Sequence, residues 1–180
     1  MYRIKEAIKI AGELNEEAKS LKRPTVSNWA REGVISGIVD YEFEETSGGR
    51  SGLYPDDLPV EIAVAAKLKK KYKLNLIAKA RQNVKEIIKE KYGKNTFKIP
   101  KSLWPDMENE EGYFKMEGRL IPADIDWSYA TEEKELLEKA ANADSREKRE
   151  EYVEQYNEIK YLAEAEKDYL KLYNKFRKEV

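Results

Sequence analysis

Four polar side chains in the stretch 25–31 can act together. Thr25, Ser27, Asn28 and Arg31 fall outside the positions that Val26, Trp29 and Ala30 take on the apolar side of a short helix. An asparagine can pair bidentately with an adenine edge, and hydroxyl and guanidinium groups donate to phosphate oxygens. Lys22 and Arg23 come just before, where cations at a helix start suit phosphates. Arg50 stands in the glycine-rich run 46–52, whose backbone lets it approach a phosphate or a narrow minor groove closely. Together these residues suit an anionic polymer, double-stranded DNA first, because a major groove about 12 Å wide admits one α-helix.

Other chemistry is excluded by composition. The 180 residues include no cysteine and no histidine, which removes disulfides, thiolate metal sites, cysteine nucleophiles and histidine bases. Carboxylates are numerous, but no motif joins them into a catalytic group, so neither an enzyme nor a cofactor nor a metal site is expected. No apolar run approaches the roughly 20 residues of a membrane helix, which leads to the expectation of a soluble, cytoplasmic protein with no membrane partner. The net charge of −1 hides an asymmetry: residues 1–94 carry 19 basic and 14 acidic side chains, residues 95–180 carry 15 and 21. A polyanion is drawn to the first half and repelled by the second.

The elements that must hold these residues follow from periodicity. Ile4, Ala7, Ile8, Ala11 and Leu14 predict a first helix over 3–14. Pro24 suits the first turn of the second helix, and Gly33 suits its end, where glycine enters the left-handed region cheaply. Val39, Tyr41 and Phe43 alternate with Asp40, Glu42 and Glu44, the pattern of a half-buried strand. The run 46–52 reads as a loop, with Leu53 and Tyr54 returning as a second strand. Pro55 is expected to open a third helix with Leu58, Ile62, Ala65, Ala66 and Leu68 inward. Asn75 caps a fourth, which Gly93 stops. Trp29 reads as core, and the run 69–71 of three lysines as a solvated helix end rather than a phosphate track.

Residues 94–130 carry three of the six prolines and two of the three tryptophans. They read as an irregular connector with a small hairpin over 113–122. Packing is the reading for Trp104, Tyr113, Phe114 and Trp127, and the sequence leaves open whether this segment binds an effector. A short helix over 131–142 and a longer one after a capping restart at Asp144 and Glu147 follow. Along the longer helix Tyr152, Tyr156, Ile159, Leu162, Ala165, Tyr169, Leu172 and Phe176 mark one side. That stripe leads to the expectation of a homodimer held by residues 131–180, with an intramolecular helical hairpin as the rival burial.

Three stretches resemble the MerR family of winged helix-turn-helix DNA-binding proteins. "TVSNWAREGVI" (25–35) resembles the second helix, "GGRSGLYPDDL" (48–58) the wing and the start of the next helix, and "IAVAAKLKKKYKLNLIAKA" (62–80) the third and fourth helices. The likeness covers about residues 1–92. Ser27 and Asn28 stand where that family commonly carries an arginine and an aromatic. The resemblance implies a wing in which Arg50 and Tyr54 contact DNA. The expected fold is mainly α: a winged-helix domain over 1–93 with a β-hairpin wing, the connector over 94–130 and a helical region over 131–180. The expected function is sequence-specific double-stranded DNA binding, first in transcriptional regulation. An excisionase, phage packaging or plasmid-segregation factor is the alternative, since small winged-helix proteins share the DNA-binding half and differ in what the second half recruits.

Overall fold

The computed structural model describes residues 1–44, 49–92, 113–116, 119–122 and 129–180. The chain is mainly helical with a small antiparallel sheet, and it divides into two compact units. The first comprises Met1–Phe97 together with Asp168–Val180, the second Lys98–Lys167.

In the first unit, β1 (Tyr2–Arg3) leads into α1 (Ile4–Leu14), a one-turn 3₁₀ helix (Glu16–Ala18) and α2 (Arg23–Arg31). A hairpin of β2 (Asp40–Glu44) and β3 (Gly49–Tyr54) follows, then α3 (Leu58–Leu68) and α4 (Leu74–Tyr92). β1 adds to the hairpin, giving the order β1-β3-β2 with Tyr2 opposite Tyr54 and Tyr41 opposite Gly52. The core centres on α3, where every residue except Lys67 is buried. Asn15 ties the turn after α1 to that helix, its Nδ2 donating to the Ala63 carbonyl at 2.9 Å.

Two local expectations shift. Pro55 does not open α3; it sits in a turn closed by Leu58 N–H to the Pro55 carbonyl at 3.0 Å, and Pro59 occupies the first helical turn. A proline N–H is dispensable at either place, so the sequence does not separate them. Arg50 is not in a loop either. β3 begins at Gly49, because the sheet ladder runs past the glycines to the Glu44–Gly49 pair.

The second unit contains β4 (Tyr113–Met116) paired with β5 (Arg119–Pro122), as the hairpin expectation has it, and α5 (Tyr129–Ala141). α6 (Arg146–Arg177) begins in this unit, with Ser145 Oγ accepting from Lys148 N–H at 3.3 Å. Leu136 and Ala140 of α5 are buried, and Arg149 Nε donates to the Ala140 carbonyl at 3.3 Å. Gly93, Trp104, Trp127 and most of the expected connector lie outside the described residues. No helix among the described residues is long and apolar enough to cross a membrane.

The end of α6 departs from the expected division at residue 131. Asp168–Val180 belong to the first unit. Asp168 accepts from the Tyr72 hydroxyl at 2.8 Å and from Lys71 Nζ at 3.0 Å, and Tyr169, Tyr173 and Phe176 are buried. This part of the expected dimer seam is therefore covered within its own chain. The same apolar residues satisfy either burial, which is why spacing alone pointed to a second copy.

Candidate nucleic-acid interface

α2 buries one side and presents the other. Val26 and Trp29 are buried, while Lys22, Arg23, Thr25, Asn28 and Arg31 are exposed and Ser27 is half-buried. Lys69 Nζ lies 5.5 Å from the centre of the Trp29 ring, a cation–π contact that closes the inner side. The helix ends where glycine is required: Gly33 has φ +75°, with Val34 N–H bonded to the Trp29 carbonyl at 2.9 Å and Gly33 N–H to Ala30 at 3.3 Å. That double closure satisfies the Trp29 and Ala30 carbonyls and turns the chain inward at Val34 and Ile35, both buried.

A buried ionic network then fixes the turn. Glu61 on α3 is fully buried, and its Oε2 accepts from Ser36 N–H at 2.5 Å. Its Oε1 accepts from Arg81 on α4, from Nε at 3.0 Å and Nη2 at 2.8 Å. Arg81 also donates to Ser36 Oγ at 2.8 Å and to the Gly33 carbonyl at 3.4 Å. Burial works against charge on Arg81, but Glu61 outweighs it and raises the guanidinium above its ordinary range. The same burial, with Arg81 nearby, lowers Lys85. The end of α6 closes the far side, where the Tyr173 hydroxyl donates to Asp57 Oδ2 at 3.4 Å and accepts from Arg177 at 3.0 Å. Desolvation raises Tyr169 and Tyr173 well above the ordinary phenol range, with carboxylates adding to it, so both stay protonated.

On the outer side Arg31 donates to Asn28 Oδ1.

The hairpin has two chemically different faces, because residues directly opposite in an antiparallel pair share a side. One face carries Tyr2, Tyr41, Arg50, Gly52 and Tyr54; the other carries Arg3, Asp40, Glu42, Ser51 and Leu53. Arg3 is paired with Glu42 at 2.7 Å on the second face. Tyr54 needs correction as a direct DNA contact: it is buried, and desolvation raises its phenol pKa. Tyr54 sits instead within the sheet, opposite Tyr2 on β1. Sequence reasoning missed Tyr41. Its alternation marks it as inward, yet it is 59% exposed.

The other basic residues divide between the fold and the surface. Lys70 is engaged with Glu17, Lys71 with Asp168, and Lys69 with Trp29, so the lysine run serves the fold. Among the described residues, Lys22, Arg23 and Arg50 form no ion pair. No group of acidic side chains among the described residues is arranged to hold a metal ion. Compared with known proteins, the chain matches no family model, no curated protein and no solved structure.

Proposed function

We propose that the first unit is a winged helix-turn-helix module that binds double-stranded DNA sequence-specifically, with transcriptional regulation as its role. The observation that carries this reading is the arrangement around α2. A buried network immobilises the turn at its end, while the start of the helix holds the unpaired cations Lys22 and Arg23 and one face of the hairpin holds a third, Arg50. A helix with a polar outer face offers base contacts, and the exposed cations Lys22, Arg23 and Arg50 offer phosphate contacts. In this reading Thr25, Ser27, Asn28 and Arg31 face the groove, and Lys22, Arg23 and Arg50 face phosphates. The order of helices and strands supports the resemblance to MerR-type domains.

Selection of bound duplex from a random pool by the full chain tests the reading. Enrichment of a defined sequence is the expected result. Failure to retain any duplex over competitor at ~50 mM salt would sink it, since even non-specific binding is strong there. A homodimer belongs to the same proposal, and its contact falls to the first half of α6, where Val153 and Tyr161 are exposed. Light scattering on the full chain at micromolar concentration checks that part, and a monomer removes it.

A further inference from the structure

Tyr41 and Ile38 are large apolar side chains left in solvent at 59% and 44% exposure. They lie on one small surface. Ile38 is folded across Gly52, the residue directly opposite Tyr41: a Cβ at Gly52 would fall 2.7 Å from Ile38 Cδ1 and 2.9 Å from Cγ1. The glycine therefore lets an isoleucine lie flat across the strand beside an exposed tyrosine. Exposed apolar surface that adjoins charged groups is characteristic of interaction sites.

The charges around this shelf select its occupant. Asp40 and Glu42 are on the opposite face, and none of the described side chains on the Tyr41 face is acidic. Arg50 shares that face. A polyanion can approach this side and is repelled from the other.

We propose, resting on the duplex-binding reading above, that Tyr41 and Ile38 pack as a flat apolar shelf on the deoxyribose wall of a DNA groove beside Arg50. The hairpin then grips DNA in two ways. Arg50 releases counterions and its contribution falls with salt; the shelf excludes water from sugar carbons and its contribution does not.

Binding of a fixed duplex by the full chain across a range of salt concentrations separates the two. Tyr41→Ala weakens binding by about tenfold at every salt concentration, roughly the worth of covering one ring face. Tyr41→Phe keeps the affinity, because the ring and not the hydroxyl makes the contact. Ile38→Ala acts in the same sense, and so does Gly52→Ala, whose methyl displaces the flexible Ile38 side chain. In all of these the slope of log affinity against log salt stays that of the native chain, whereas Arg50→Ala lowers it by about 0.9, one phosphate contact. Thermal melts accompany each variant and stay close to native, since both side chains are exposed. Native affinity in Tyr41→Ala on a duplex that the native chain does bind overturns this proposal and leaves the function standing. A changed slope in Tyr41→Ala also overturns it, by making the tyrosine a phosphate contact. Preference for single strands that is lost in Tyr41→Ala overturns it in favour of base stacking. If the native chain binds no duplex, both readings fall.

Discussion

The two sides of α2 hold similar kinds of residue in opposite circumstances. Behind the helix end, Ser36, Glu61 and Arg81 are buried, and their polar groups are spent on one another and on the Gly33 carbonyl. In front, Lys22, Arg23 and Thr25 stand in water, and Asn28 and Arg31 meet only each other. The difference separates scaffold from contact. A buried charge has one arrangement that satisfies it, so it fixes geometry; an exposed one is held loosely and can exchange solvent for a ligand. Mutations on the two sides should therefore divide cleanly, the inner ones acting on stability and the outer ones on binding.

The strongest way to break this division is Arg81→Met. It leaves Glu61 buried without its cation, and a loss of about 3–5 kcal/mol in urea unfolding is expected. The double change to Met at both Glu61 and Arg81 should recover only part of that loss, because it removes the stranded charge but leaves Ser36 N–H and the Gly33 carbonyl without their partners. If the single variant melts like the native chain, the network is not the scaffold. Next in size is Asn28→Ala, expected to cost about 1–3 kcal/mol of discrimination at one base pair, read by competition between single-substitution duplexes. An unfolding midpoint moved by that change would blur the comparison. Arg50→Ala should weaken binding to every duplex alike, with stability unchanged to within about 0.5 kcal/mol, as for other surface changes.

The smallest effect concerns a surface ion pair. Lys67 at 2.7 Å and Lys70 at 3.0 Å hold the Glu17 carboxyl near 2, down from 4.5. A depressed carboxylate stabilises the fold above its ordinary pKa and loses that contribution as pH falls through its folded value. Glu17→Gln should therefore be slightly less stable than the native chain at neutral pH. The gap should close between about pH 4.5 and 2, with urea midpoints as the readout. A constant gap across that window would show that the two lysines do not depend on the charge.

What the sequence revealed was local. The inner side of α2, the Gly33 stop and both hairpins were legible because each rests on neighbours within a few residues. The pairing of Glu61 with Arg81 was not, because 20 residues separate them and either charge alone looks like a solvated one. Tyr54 and Tyr41 exchanged roles for a similar reason. Strand alternation fixes which residues share a face but not which part of the face the helices cover. On the Tyr41 face the cover reaches Tyr54 and stops short of Tyr41. The end of α6 was misjudged because an apolar stripe does not name what buries it.

That return of α6 has a consequence for biosynthesis. A ribosome delivers residues in order, at about 5–20 per second, and a folding unit is complete only when its last contributing segment has emerged. Asp168–Val180 belong with Met1–Phe97, so the first unit waits for the whole of Lys98–Lys167 to be translated before Tyr173 reaches Asp57 and Asp168 reaches Tyr72. Until then Tyr72 and Asp57 lack their partners on α6. The first unit is thus completed several seconds after its own first ninety residues have been made.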